Sequence, residues 1–321
     1  MSVIVAVDGG QSQCRIAVQA DGRPADCYTT AGLYYGGDED GGLRTIARLL
    51  DDAGALIARD QPPPRIDTVV LALSGMPSGR GERERVAVEA AARFRPRRQL
   101  ITSDLPAAYA GAIGLAPGAV LSAGSGTIAL GADGHGQVHM TGGGGGLLGD
   151  EGSAYWIGLR GLRLAWRTHT GRVGSAGLLE RAIRQYGPVS ELPSRLRGSQ
   201  NPVSEVAGFT PAVVDAAAAG DRAAVCVLSE AAGDLADMLG CVFTAALPAP
   251  GHACRVSWSG RLLRLPLLHE MFAAAVRERL PSVDLQPPDG SALDGALRLG
   301  AAADLGLFGD QIDVIPGVDA I

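Results

Sequence analysis

The sequence predicts an α/β chain of two related domains, residues 1–116 and 117–321. Two patterns support this. Each half opens with a strand, a glycine-rich turn, a second strand and a short third one (DGGQSQ is the first turn, GSGT the second). In each half, later apolar strands alternate with segments of helical spacing, the signature of layered α/β architecture.

The first half reads as follows. Val3 to Val7 is a β-branched apolar run, hence a buried strand, and Cys14 to Val18 alternates as its partner. A third strand lies near Cys27–Thr30, and Leu43 to Arg59 has helical periodicity before the Pro62-Pro63-Pro64 break. "IDTVVLALSG" is a strand ending at Ser74-Gly75, followed by a helix near Glu82–Arg93. "QLITSD" is a strand closing on Asp104, which opens a helix to Gly114.

At Ala116-Pro117-Gly118 the pattern starts again. "AVLSAGSGTIALGA" is strand, turn and strand, and "GQVHMTG" is the third strand. Five glycines then lead to Asp150-Glu151 and a helix over Gly152–Thr170. Residues 187–210 read as loop-rich, Asp221–Leu247 as a long helix, "CRVSWSG" as a strand, and Leu265–Arg279 and Leu293–Leu305 as the last helices. Two such halves with matching glycine turns suggest one cleft between them, where open α/β sheets bind ligands.

Composition excludes several classes. Net charge is −6, which argues against nucleic acid or an anionic membrane as partner. No apolar run reaches the roughly 18 residues of a membrane span, and the start lacks the basic region of a signal peptide. Five scattered cysteines without a C-x-x-C pair read as free thiols of a cytoplasmic protein. All 28 basic residues are arginine, so neither a P-loop NTPase nor a protein kinase, each of which needs a lysine, can be built here.

Each candidate site has a plain alternative. DGGQSQ is an ordinary hairpin or a phosphate clamp, with backbone N–H groups of Gly9, Gly10, Gln11 and Ser12 aimed at phosphate and Asp8 beside a divalent cation. Gly124-Ser125-Gly126-Thr127 is a hairpin or a second phosphate loop related by the repeat. Asp104 is a helix cap or the base that orients an attacking hydroxyl. Asp150 and Glu151 suit the helix dipole, but the glycine run before them is better explained by backbone laid against a sugar, with carboxylates accepting from its hydroxyls. His135 and His139 as a metal pair, and Trp156 as a cofactor contact, are the weaker readings of those residues.

Together these stretches resemble the sugar kinase/actin/Hsp70 ATPase superfamily. Within it they are similar to the N-acetylglucosamine kinases grouped with the BadF/BadG/BcrA/BcrD ATPases. "VDGGQSQCRIAV", "LALSG", "SDLPAAYAGA", "SAGSGTIAL", "LLGDEGSAYWIG", "VAGF", "SWSGRLL" and "SALDGALRLGAA" match that family in order along nearly the whole chain. The resemblance implies two ribonuclease H-like domains around a nucleotide cleft, the last helix packing back on the first. It implies ATP-dependent phosphorylation of an amino sugar, N-acetylglucosamine to its 6-phosphate, by a cytoplasmic homodimer using ATP and magnesium. Asp8 would hold magnesium through water. Gly9, Gly10, Gln11, Ser12, Gln13, Gly124, Ser125, Gly126 and Thr127 would line the phosphates. Ala207, Gly260 and Arg264 would lie near the nucleotide. Asp104 would be the base, and Ser74, Gly75, Gly144, Gly145 and Asp150 would contact the sugar.

Departures from the family fall in the same places. Gln11, Ser12 and Gln13 stand where Gly, Thr and Lys or Arg are usual. Gly144 and Gly146 replace a Trp and a His, and Gly36 replaces the sugar-binding Asn. The cysteines that bridge a dimeric cluster in dehydratase activators are missing. Another hexosamine, or a conformational ATPase acting on a protein partner, are the alternatives these changes leave.

Overall fold

A computed structural model describes residues 2–11, 13–23, 25–33, 42–60, 65–76, 79–133, 135–245 and 254–317. The chain divides into two compact units, one of residues 1–117, 132–138 and 287–321, the other of residues 118–131 and 139–286. Residues 287–321, assigned from sequence to the second domain apart from their last helix, thus cluster with the first unit, as does the short piece 132–138.

The first unit begins with β1 (Val3–Gly9), β2 (Gln13–Ala20) and β3 (Asp26–Ala31), then α1 (Leu43–Asp60), β4 (Thr68–Leu73), α2 (Arg80–Phe94), β5 (Arg98–Thr102) and α3 (Asp104–Ile113). β1 and β4 are buried along their whole length, as expected of central strands covered on both faces. β1 pairs antiparallel with β2 but parallel with β4, and β4 runs parallel with β5. The carboxyl ends of β1, β4 and β5 therefore lie along one sheet edge. This places Asp8, Ser74 and Asp104 together.

The second unit holds β6 (Gly118–Ala123), β7 (Thr127–Ala132), β8 (Val138–Gly142), α4 (Gly145–Leu148) and α5 (Ala154–His169). It continues with α6 (Ala176–Tyr186), α7 (Leu192–Gly198), α8 (Pro202–Ala207), α9 (Thr210–Ala218), α10 (Arg222–Ala245), β9 (Arg255–Ser259) and α11 (Pro266–Arg279). Its strand order, β8-β7-β6-β9 with β6 parallel to β9, matches β3-β2-β1-β4 of the first sheet. The sequence repeat is therefore a repeat of topology. Residues 187–210, read as loop-rich, contain α7 and α8, each too short to show a period. Both begin with a proline in the first turn, where its missing N–H costs nothing. Helix α10 is the spine of the core, with Leu228, Leu235 and Leu239 fully buried.

The chain ends with α12 (Ala292–Ala301) and β10 (Asp313–Pro316) in the first unit. β10 was not expected; it is a four-residue edge strand beside β5, too short for a periodic signal. Helix α12 opens with a capping box between Ser291 and Asp294 and packs on α3 at unusually close range. A Cβ at Gly295 would sit 1.9 Å from the Ala107 carbonyl oxygen, so only glycine allows this approach. Arg298 donates from Nη1 to the carbonyls of Ala110 (2.9 Å) and Gly111 (3.1 Å), closing the last turn of α3.

Gly295→Ala gains about 1 kcal/mol of helix propensity but forces the two helices apart, which costs roughly 1–3 kcal/mol or more. The clash is with backbone, so overpacking wins. Urea unfolding is expected to show a net loss of stability and no gain.

Candidate active site

At the sheet edge of the first unit, Asp8 is buried at the end of β1, directly opposite Arg15 on β2. The Arg15 guanidinium donates from Nη2 to Asp8 Oδ2. Burial nevertheless pushes the Asp8 carboxyl above the ordinary aspartate range, against the pull of Arg15. Across β4, the Ser74 amide donates to the Gly9 carbonyl at 2.7 Å. The Ser74 hydroxyl donates to Oδ2 of Asp104, the first residue of α3. The Asp104 carboxyl is also raised, first by burial and further by the negative charge of Asp8; the Ser74 bond works the other way. Asp104 is therefore not merely a helix cap: its side chain is held by a strand-end serine beside a second carboxylate.

Arg15 is the functional candidate that sequence reasoning missed. The signal was present. Gly10 N–H donates to the Gln13 carbonyl at 3.2 Å, and the β1–β2 register places Arg15 against Asp8. Gln13 and Arg15 share a strand face, and Arg15 is the basic residue on it. The same bond uses the Gly10 N–H, which was expected to face phosphate. Gly9, whose added Cβ would lie 2.5 Å from Leu73, is glycine for packing. Gln11 lies in the bend, and Gly75 follows Ser74 with φ +68°. Ser12 and Gly36 lie outside the described residues.

The second unit departs from expectation more strongly. Thr127, expected on phosphate, is 2% exposed and uses both its donors internally. Its amide donates to Asp150 Oδ1 at 3.0 Å, and its hydroxyl donates to the Glu151 carbonyl at 2.9 Å. Asp150, expected to face the sugar, is thus a buried strap tying the turn Gly124–Thr127 to the loop before α5. Burial raises its carboxyl, and neighbouring Glu151 adds to this. Gly126 is required by the strap, since a Cβ there would lie 2.7 Å from Asp150 Oδ1. Ser125 accepts from the Tyr155 amide at 3.2 Å. At Gly124 an added Cβ would meet nothing within 4 Å, so the turn is open there.

The glycine run is not extended backbone. Gly144 precedes a single helical turn, α4, which Gly145 enters with φ +69°. That turn presents Leu147 and Leu148, 94% and 84% exposed, to solvent. Gly260 follows β9 with φ +95°, its α-carbon pressed on the Ala123 carbonyl so closely that a Cβ would come to 2.1 Å. Ala207 ends α8 and Arg264 is exposed beyond β9; both lie on elements other than the Gly124–Thr127 turn.

The BadF/BadG/BcrA/BcrD ATPase family model matches residues 40–297, most of the chain. The chain belongs to this family. A stretch of 139 residues is 30% identical to the N-acetylmuramic acid/N-acetylglucosamine kinase of Clostridium acetobutylicum, spanning 42% of this chain and 45% of that relative. The fold matches a solved, proposed N-acetylglucosamine kinase of Chromobacterium violaceum with TM-score 0.71 at 23% identity, over 93% of this chain and 99% of that one. A Porphyromonas gingivalis counterpart gives 0.69 at 17% identity, over 94% and 99%. A Streptomyces griseus ROK-family glucokinase, solved with glucose and AMPPNP, gives 0.59 at 14% identity, over 93% and 98%. The expected two-domain ATPase fold is the fold found.

An ATPase family implies a nucleotide, and a cation with it would find carboxylates at the first sheet edge. The Asp8–Asp104 pair holds two carboxylates against one guanidinium, which leaves an excess of negative charge for a cation to balance. Among the described residues no cluster of three acidic, His or Cys side chains forms a metal cage. Magnesium suits this, since it is usually held by one or two carboxylates plus water and phosphate. The open face at Gly124 suits a phosphate group.

Two outcomes follow for stability. Asp150→Ala leaves the Thr127 amide unpaired and is expected to cost about 1–3 kcal/mol in chemical denaturation. Asp150→Asn keeps an acceptor and tolerates the left-handed backbone (φ +60°) at this position, so it should cost less than half as much. For Asp104, a carboxyl raised in the folded state stabilises the fold below its unfolded value and loses that contribution as pH rises through the folded one. Asp104→Asn should therefore melt higher than the parent at pH 7, with the advantage vanishing as pH falls into the ordinary carboxylate range.

Proposed function

We propose that this chain transfers the terminal phosphoryl group of ATP to a hydroxyl of an amino sugar, with the 6-hydroxyl of N-acetylglucosamine as the favoured acceptor. The observation that carries this reading is the Asp8–Ser74–Asp104 cluster at adjoining strand ends. The acceptor oxygen attacks the γ-phosphorus, the bond to the ADP oxygen breaks, and the acceptor proton passes to Asp104. Burial makes Asp104 a better proton acceptor than a solvated aspartate. The Ser74 hydroxyl fixes the direction in which its carboxylate points. The transition state is loose, so this positioning matters more than basicity. Magnesium near Asp8, when bound, would offset charge on the phosphates. Arg15 orients Asp8 and favours its ionised form against the effect of burial.

The names of the Clostridium, Chromobacterium and Porphyromonas relatives support an N-acetylated hexosamine. The identity of the sugar is the finer claim. At Gly146 an added Cβ would lie 2.4 Å from the Tyr155 ring, so that ring takes the place of the side chain usual in the resemblance, and the Clostridium relative is named for N-acetylmuramic acid as well. N-Acetylmuramic acid, which carries a lactyl group, is thus the first competitor. Five free cysteines fit a reducing cytoplasm.

The test is an ADP-coupled assay over glucose, glucosamine, N-acetylglucosamine and N-acetylmuramic acid. Turnover on an N-acetylated sugar is expected. Asp104→Asn should lower it on the order of 10²–10⁴-fold, with ADP binding by calorimetry unchanged. Steady ATP hydrolysis with no sugar as acceptor would overturn the kinase and favour a conformational ATPase.

A further inference from the structure

The second unit contains a groove of about 850 Å³ that plays no part in the chemistry above. Three helices wall it: α5, α7 and α10. Its floor is apolar and buried, formed by Leu162, Leu192 and Val227. Half-buried Trp166, Leu159 and Leu196 form its sides. The volume is in the range of small-molecule sites, roughly 300–1,000 Å³.

The rim gathers positive charge at one groove. Arg163, Arg167 and Arg172 are exposed and line the groove, and among the described residues none has an ion-pair partner. Some other helix-face arginines do have one: Arg80 meets Glu84, Arg93 meets Glu89 and Arg184 meets Glu180, each one turn away. Arg163 and Arg167 are one turn apart on α5, a like-charge spacing that weakens a helix. The one rim arginine that is neutralised, Arg160, pairs with Glu230 of α10 and lies over the Trp156 ring.

We propose that this groove binds a small amphiphilic anion, a carboxylate or phosphate carried on an alkyl or aromatic body. The apolar trough would take the body and the guanidinium forks would take the head, for which Arg is geometrically suited. A second copy of the chain is a poor occupant, because a twofold axis through the groove would set the same three arginines against each other. An acidic head satisfies the floor and the rim at once.

Cys226, exposed on the α10 wall, supplies a direct readout. The probes are octyl phosphate, octyltrimethylammonium and inorganic phosphate. The assay is the rate at which N-ethylmaleimide labels Cys226, read by peptide mass spectrometry. Octyl phosphate is expected to slow labelling at least tenfold at saturation, while the cationic amphiphile and inorganic phosphate leave it nearly unchanged. The double variant Arg163→Glu, Arg167→Glu should weaken octyl phosphate at least tenfold. Far-UV circular dichroism controls its folding, and Arg172→Glu, outside any helix, gives the same information if the double variant misfolds. Equal protection by the cation, equal protection by inorganic phosphate, no protection by octyl phosphate, or unchanged affinity in the variants overturns the proposal. So does self-association that hides Cys226 without any probe.

Discussion

Two acidic side chains held close together in partial burial are the constraint around which the first unit is arranged. Removing a carboxylate from water costs several kcal/mol even after relaxation. Asp8 and Asp104 meet that cost side by side, and each is raised by it. The surrounding structure supplies the compensation. Parallel pairing of β1, β4 and β5 sets the strand ends level, and the Gly9–Ser74 backbone bond locks two of them. Arg15 neutralises one carboxylate from across the hairpin, and Ser74 holds the other. Helix α12 then fixes α3, and with it Asp104, through the close contact at Gly295 and the Arg298 bonds. Stability is given up at the cluster and recovered in the packing behind it, as expected where a site must keep charge out of water.

The second unit repeats the plan and satisfies it differently. In both units the parallel strand ends in Ser-Gly, with the glycine in the left-handed region, at Gly75 and Gly260. In both, that turn presses on the end of the first strand: Ser74 bonds to Gly9, and Gly260 packs on Ala123. The carboxylate beside the glycine turn comes from different places. In the first unit it is Asp8, carried on the strand itself. In the second it is Asp150, brought in from the loop before α5 to hold Thr127. A charged first turn and a self-satisfied second turn are suited to different work. One holds charge near the surface, whereas the other uses its carboxylate to hold the shape of the turn.

The strands and long helices were legible because their periods are strong. Val3–Gly9, Thr68–Leu73 and Arg222–Ala245 sit within a few residues of the runs read from sequence. What was not legible lacked either period or locality. Helices α7 and α8 and strand β10 are four to seven residues long, too short for a repeat to show. The glycine run has no side chains with which to announce a helical turn. Asp104 and Ser74 stood out because each closes a strand beside a glycine or a helix start. The bonds between Thr127 and the Asp150-Glu151 pair, 23 and 24 residues apart in sequence, could be known only from the fold. Arg15 was within reach, because the β1–β2 register pairs it with Asp8.

The absence of lysine sharpens the meaning of the cations that remain. An arginine does not lose its proton at any ordinary pH, so a cationic site here cannot relieve itself by deprotonating. Where an arginine faces Asp8, that permanence supplies a fixed opposite charge beside a buried carboxyl. Where three exposed arginines rim an apolar trough, the same permanence keeps their like charges close together. Solvation alone would spread such residues over the surface; it would not gather them at the mouth of the groove that Trp166 and Leu196 line. Arrangements that oppose folding and persist are expected where binding offsets them, and the electrostatic complement missing from that groove is an anion.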